Sequence, residues 1–569
     1  VYLDNDIPNK ILNSYAIFDE LYYTIPGFNL FHYGQVNPTI IANVSVENNA
    51  PTNIAQNLAT YLSLKAFGNN FYGLRMGSVF CAVLIFILFY LLLRKVLTLN
   101  HTFLCSISTT TTKLLLFIPM LYLLLDFSFL AAGRVAEPTI YRMLALVIML
   151  YIGSFIDFSH IKPWQSFLLG FLAFAAVSFV YVYNAFMYAA FGLTVFVEAF
   201  GNGWKNAVKH SVLFVGGTLL CLLFYQVFVS SSYNSSLLEV YRNLIPFQSR
   251  VAGTTGIDAY MTNVTLVWMT NIFRFNVTML FIFLVSIPVF IDKIKKFRSD
   301  FDTLIICLIG FLFLQSIFIN DYALRKLLVL LPLILIMALL SYLHAPAYFR
   351  ELTRPQRNVI KFYWVLIWVI SLLVLFCYLK SNLIGDLILV SDYFTALNFV
   401  VFLFGATMLS LYYPYAFNVK KTVWGILIIS LLVPNAFLDF RYVFLNRSTV
   451  YRDTMISLAD KVDGQYVVGG LDYAFRLYNT SIPILNFYTT KYGASPESAD
   501  KYHKYFDQLF NDGTGSYSIA VIQDQPEEEV VNIDYMERHG LKLEEEYDMK
   551  DLINVNIGLF SPEPVPSQY

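Results

Sequence analysis

From residue 74 onward the chain reads as a succession of about twelve apolar stretches. Each approaches the ~20 residues with which a helix crosses ~30 Å of hydrocarbon. They lie at 74–93, 114–132, 138–156, 165–182, 184–200, 211–230, 273–291, 302–319, 326–343, 359–379, 394–413 and 422–440. Residues 1–72 contain no such stretch and are rich in Asn, Tyr, Asp and Pro, which predicts an extramembrane segment. Past residue 441 the apolar residues come in short runs among charges. Tyr466–Val468, Ile482–Leu485, Tyr517–Ile522 and Val555–Phe560 read as strands, with Pro483 confining the second to an edge or a strand start. Asp472–Tyr478, Pro496–Phe510 and Glu527–His539 read as helices between them, so a small α/β domain is expected. The predicted organisation is an outer loop with amphipathic helices at 1–72, a transmembrane helical domain at 73–441 and a C-terminal extracytoplasmic α/β domain at 442–569.

The basic residues orient this arrangement, because short loops that stay in the cytoplasm retain Lys and Arg. Alternate loops hold Arg94, Lys95 and Lys113; Lys162; Lys205 and Lys209; Lys293, Lys295, Lys296 and Arg298; Arg350, Arg354, Arg357 and Lys361; Lys420 and Lys421. The opposite set carries Arg134; Arg242, Arg250 and Arg274; Arg325 and Lys326; and Lys380, a clear minority. Residues 1–72, the loop 231–272 and the C-terminal domain are therefore expected on the outer side of a cytoplasmic (inner) membrane. Because the sequence opens at Val1 rather than Met, one further span ahead of it, or a processed start, is expected.

Composition agrees and narrows the function. Of 569 residues, 57% are hydrophobic and 14% charged, with a mean hydropathy of +0.59, far from the roughly one-quarter charged residues of a soluble chain. A net charge of -1 excludes a general electrostatic pull toward nucleic acid. The 5 cysteines lie in or beside apolar stretches without CxxC or CxxH spacing, so neither a disulfide framework nor a zinc knuckle is supported.

The candidate chemistry lies in the outer loops. Phe18-Asp19-Glu20-Leu21-Tyr22-Tyr23 is followed by Gly34, Glu47 and Pro51, then by Phe67-Gly68 and by Arg75 opening the first span. The second outer loop reads Ala132-Gly133-Arg134-Val135-Ala136-Glu137-Pro138, and a later one Asp321-Tyr322-Ala323-Leu324-Arg325-Lys326. In order and spacing these resemble the polytopic lipid-donor glycosyltransferases of the GT-C class, in the branch holding the aminoarabinose transferase of lipid A and the protein O-mannosyltransferases. Where that branch often has Glu-Lys-Pro-Pro, this chain has Glu47-Asn48-Asn49-Ala50-Pro51, so the Lys that would meet the donor phosphate is absent.

The resemblance implies a polytopic α-helical fold and transfer of a sugar from a polyprenyl-phosphate-linked donor to a lipid, glycan or protein acceptor, with inversion at the anomeric carbon. Such a reaction needs a carboxylate to take the acceptor's proton and a cation to hold the departing phosphate. By resemblance Asp19 is the base, Glu20 and Glu137 shape the acceptor side, and Arg134, Arg325 and Lys326 are candidates for the phosphate. Glu47 and Arg75 are further candidates. Glu137 equally suits the N-terminus of its own helix, and the three basic residues equally suit span ends where long side chains snorkel.

No metal is assigned. Asp4-Asn5-Asp6 matches the Asp-x-Asp pattern of metal-assisted sugar transfer, and Glu47 and His32 are potential ligands, although a His beside aromatics is ordinarily structural. Asp126 and Glu198 fall within or beside spans, where an ionisable group is costly; Asp126 could orient an Arg, and Glu198 suits a solvated cytoplasmic end. Two rival readings are a transporter or flippase of a lipid-linked substrate and an O-antigen-ligase-like enzyme. Against the first, no related halves are visible. Against the second, the loop 231–272 has Arg242 and Arg250 but no His.

Overall fold

The computed structural model describes residues 24, 26–32, 34, 53–100, 109–136, 138–233, 277–318, 328–380, 404, 405, 407, 450–461, 467–468, 519–522, 541–548 and 556–562. We number its helices α1 (Ile54–Phe67), α2 (Phe71–Leu99), α3 (Thr109–Leu125), α4 (Phe127–Arg134), α5 (Pro138–Gly153), α6 (Pro163–Ala175), α7 (Ala185–Phe200) and α8 (Trp204–Tyr233). They continue as α9 (Val277–Phe297), α10 (Asp300–Phe318), α11 (Leu330–Glu351), α12 (Arg354–Lys380) and α13 (Val450–Lys461).

Ten of the predicted spans, from 74–93 to 359–379, coincide with helices, and by length and composition five described segments can cross a membrane. These are Phe71–Leu99, Pro163–Val180, Val182–Phe200, Trp204–Phe228 and Leu328–Ala345. The chain is a multi-pass helical membrane protein. The predicted span 114–132 ends instead at Leu125, because the Asp126 carboxylate caps a new helix, accepting the Phe129 N–H at 3.0 Å. The predicted spans 394–413 and 422–440 fall outside the described residues except for 404, 405 and 407.

Between α6 and α7 the chain does not turn in an ordinary loop. A π-helical turn, Ala176–Val180, runs into extended Tyr181 and a 3-10 turn, Val182–Asn184. The Asn184 side chain donates to Ala176 O at 2.8 Å, and Ser178 Oγ donates to Phe174 O at 2.9 Å, so side chains and backbone close the break together.

Lipid supplies no hydrophobic drive between helices, so close packing must hold them. At the α6–α8 contact, a methyl on Gly170 would overlap the carbonyl oxygen of Phe214, and one on Gly217 that of Phe167. Glycine on each helix lets the backbones meet. Elsewhere α2 packs on α1, α4 and α5, α9 on α11, and α7 on α10. The outward faces of α8 and α12 present Val212, Leu223, Val227, Val359 and Phe362, as lipid-facing helices should.

The predicted cytoplasmic end is tied by ion pairs. Lys293 bonds Asp302, Lys296 bonds Glu351 and Asp292, and His344 Nε2 lies 2.9 Å from Asp292. Glu198 is buried against Arg298 rather than solvated, which corrects the expectation from sequence: the α9–α10 turn brings the guanidinium over the end of α7.

Among the described residues the C-terminal part forms a four-stranded sheet, β1 (Val467–Val468), β2 (Ile519–Ile522), β3 (Leu541–Asp548) and β4 (Asn556–Pro562), in the order β1-β2-β4-β3. β1 and β2 are parallel and the other pairs antiparallel. Three strands match the sequence reading. Strand β3, Leu-Lys-Leu-Glu-Glu-Glu-Tyr-Asp, was not predicted, and its exposed Lys542, Glu544, Glu545 and Glu546 line an outer strand, where charge discourages pairing with another chain. The predicted strand Ile482–Leu485 and the three predicted helices lie outside the described residues.

Candidate functional site at the predicted outer ends of the helices

Helix α1 is amphipathic in the reverse sense to a soluble helix. Gln56, Asn57, Thr60 and Ser63, spaced to share one face, are buried together with Asn53, whereas Leu58 and Leu62 are more than half exposed. Among the described residues, Gln56 Oε1, Asn57 Oδ1 and Thr60 Oγ1 are buried without a hydrogen-bond partner. Such acceptors and hydroxyls suit a polar occupant.

This polar face is held by its neighbours. Gln56 Nε2 donates to Ala136 O at 2.6 Å and thereby ties α1 to the residue before Glu137. Ser63 Oγ donates to Gly73 O at the start of α2. The Phe67-Gly68 pair ends α1: Gly68 takes φ 92°, which glycine adopts without steric cost, and its N–H bonds Leu64 O at 2.9 Å. Asn70 Oδ1 then accepts the Gly73 N–H at 2.8 Å and caps α2. The motif that opens the first span is therefore a helix stop followed by a helix start.

Arg75 is buried in the first turns of α2, its guanidinium carbon 5.3 Å from the Phe71 ring centroid. Arg134 is the last residue of α4 and is also buried, so it does not simply reach out to the interface. His32 sits between aromatic rings, 4.2 Å from Phe28 and 4.7 Å from Phe31 by ring centroids, in agreement with a structural role. Asp126 caps α4, as described above. Asp19, Glu20, Glu47, Glu137, Arg325, Lys326, Asp4 and Asp6 lie outside the described residues.

One polar group at this end was not singled out from sequence. Arg142, in the second turn of α5, is 2% exposed and donates from Nη2 to Oε1 of Gln315 on α10. Tyr181 and Tyr183, in the break between α6 and α7, lie within electrostatic reach of it. The signal was present: Arg142 is an ionisable residue inside a predicted span, the criterion that drew attention to Asp126 and Glu198.

No family model and no curated relative matches the chain. Solved structures do. ArnT from Cupriavidus metallidurans bound to undecaprenyl phosphate superposes with a TM-score of 0.54 at 12% identity, covering 96% of this chain and 96% of that one. The fold is that of a GT-C glycosyltransferase. The same enzyme without ligand gives a TM-score of 0.47 at 13% identity over 95% of this chain and 93% of that one. An oligosaccharyltransferase from Archaeoglobus fulgidus gives 0.41 at 11% identity over 89% of this chain and 65% of that one. In this fold the polar face of α1, Arg75, Arg134 and Arg142 all lie near one end of the helical domain, the end that the Lys and Arg distribution predicts to be the outer one.

Proposed function

We propose that the chain is an integral membrane glycosyltransferase that moves a sugar from a polyprenyl-phosphate-linked donor to a lipid, glycan or protein acceptor at the outer face of the membrane. The observation that carries this reading is the likeness over nearly the whole of both chains to a transferase whose structure holds undecaprenyl phosphate. The polar face of α1 supports it. Its buried amide and hydroxyl groups are what a hydroxyl-rich sugar requires, while Leu58 and Leu62 on the opposite face suit a helix lying against lipid.

In the proposed reaction Asp19 takes the proton of the acceptor hydroxyl as its oxygen attacks the anomeric carbon. The phosphate leaves on the opposite side with the bonding pair, which gives inversion. Arg134, Arg325 and Lys326 neutralise that phosphate, and Glu20 and Glu137 position the acceptor. Glu47 and Arg75 are further candidates for the site. The outer loops cover the site, and the C-terminal domain, on the same side, helps recognise the acceptor or braces the loops.

The test is transfer of labelled sugar from a polyprenyl phosphate donor in reconstituted vesicles. Wild type transfers; Asp19→Asn inserts and purifies normally but does not. Full activity of Asp19→Asn would sink the assignment of the base. Movement of substrate across sealed vesicles with no covalent product would replace the transferase reading by a transporter.

A further inference from the structure

We infer that Arg142, backed by Gln315, is a phosphate-holding residue set one turn inside the membrane from the outer ends of the helices. The inference rests on the lipid-phosphate reading above and adds to it a cation that the loop motifs do not contain.

A guanidinium cannot shed its charge in a protein, so burying it within a span demands an anion or a dense set of acceptors. Arg142 is buried about 6 Å along the axis from Pro138, the first residue of α5. Its hydrogen-bond partner among the described residues is the neutral amide of Gln315, itself buried, and no described carboxylate pairs with it. One neutral acceptor engages one of the five donors of the fork. Lys293, buried at the opposite end of the spans, differs: it has Asp302 at 2.6 Å. Lys293 is paired with a described carboxylate, and Arg142 is not.

The surroundings fit an anionic headgroup rather than packing alone. The backbone is irregular where it passes Arg142, with a π turn, extended Tyr181 and a 3-10 turn in place of a continuous helix. Irregular backbone at membrane depth is tolerated where it lines a cavity or is buried in protein. It holds two tyrosines, their ring centroids 4.9 Å apart and nearly perpendicular, within electrostatic reach of the guanidinium. Phenol hydroxyls donate to phosphate oxygens, and the Arg fork binds two of them side by side. The ligand class is a phosphate ester borne by a lipid whose chain lies among the helices, with free phosphate as the soluble source of the same chemistry.

The experiment uses the full chain in neutral phosphatidylcholine nanodiscs. It measures binding of fluorescent polyprenyl phosphate, the matching polyprenol without phosphate, and competition by inorganic phosphate. Wild type is expected to prefer the phosphate form by roughly 10- to 100-fold, the range of one or two charge-assisted hydrogen bonds. Arg142→Gln loses most of that preference and Arg142→Lys keeps part of it.

Gln315→Glu guards against a variant that merely misfolds. It supplies an internal anion, so it keeps or raises the thermal midpoint while lowering phosphate-lipid affinity; a purely structural Arg142 would leave affinity untouched. Arg142-dependent competition by inorganic phosphate supports the anion site and shows that it accepts the free ion as well. Unchanged preference in folded Arg142→Gln or in Gln315→Glu overturns the inference. Absence of any phosphate preference in wild type overturns the lipid-phosphate reading itself.

Discussion

Nζ of Lys293 lies 2.6 Å from Oδ2 of Asp302, and both side chains are almost wholly buried where α9 turns into α10. The same carboxylate oxygen accepts the Ser299 N–H at 2.8 Å, so the pair also fixes the turn. Desolvating two charges consumes most of their attraction, but removing one partner strands the other. Lys293→Met is expected to cost about 3–5 kcal/mol. Lys293→Met combined with Asp302→Leu should recover most of that loss, since no charge is left behind. Thermal midpoints of the single and double variants in one detergent check this; equal damage in both would refute the account.

Gly170 and Gly217 allow α6 and α8 to touch backbone to backbone, each facing a carbonyl of the other helix. A side chain at either position must push the helices apart against carbonyl oxygens that have nowhere to move. Gly170→Leu and Gly217→Val are each expected to destabilise the chain by about 1–3 kcal/mol or more, the range of overpacked interiors. Gly216→Ala should be benign by comparison, because a methyl there meets only the ring of Phe167 at ordinary contact distance. The ranking is read from detergent-resistant folded fraction on heating.

Gln56 donates to the carbonyl of Ala136 at 2.6 Å across a long sequence separation and so holds the short segment in which Glu137 is placed by sequence. Gln56→Leu keeps the bulk and removes the donor. Transfer of labelled sugar is expected to fall at least about tenfold, the cost of about one lost buried hydrogen bond, with the lost tether felt in kcat and the lost Oε1 acceptor in donor affinity. Gln56→Glu should lower kcat likewise, because a carboxylate cannot donate to a carbonyl. Wild-type turnover in Gln56→Leu would show that this tether does not position the second loop.

The helical domain was legible because each span announces itself by length and hydropathy, and because glycine, proline and basic residues punctuate the ends. What composition could not show was how helices break. Asp126 reads as a stray charge within an apolar stretch, yet its carboxylate starts α4. The passage from Ala176 to Asn184 is apolar and aromatic and carries no glycine or proline, so nothing in it announces a π turn; side-chain bonds from Ser178 and Asn184 to the backbone produce one. Arg134 and Arg75 were readable as candidates, but their burial follows from packing against elements distant in sequence. Strand β3 was hidden for a different reason: Glu544, Glu545 and Glu546 interrupt any apolar alternation, and pairing with β4 makes it a strand.

Lys461, at the end of α13, donates to Glu545 at 2.7 Å and to the Tyr547 hydroxyl at 3.0 Å on β3. The ammonium first, and the Tyr547 hydroxyl second, hold the Glu545 carboxyl below its ordinary value, while Glu545 and then Tyr547 push the Lys461 ammonium up. A depressed carboxylate contributes stability that is complete above its ordinary pKa of 4.5 and is lost as pH falls through the lowered value. A raised ammonium contributes stability that is complete below its ordinary 10.5 and is lost as pH rises through the raised value. The helix-to-strand link is therefore level across the neutral range and fails first on the acid side under ordinary conditions. Both groups are open to solvent, so salt must weaken the link as well. The difference in thermal midpoint between wild type and Lys461→Met, measured on the full chain, is expected to stay constant from about pH 5 to about pH 9. It should shrink below that range and in about 0.5 M salt. A difference indifferent to both acid and salt would mean that Lys461 acts through its aliphatic stem rather than its charge.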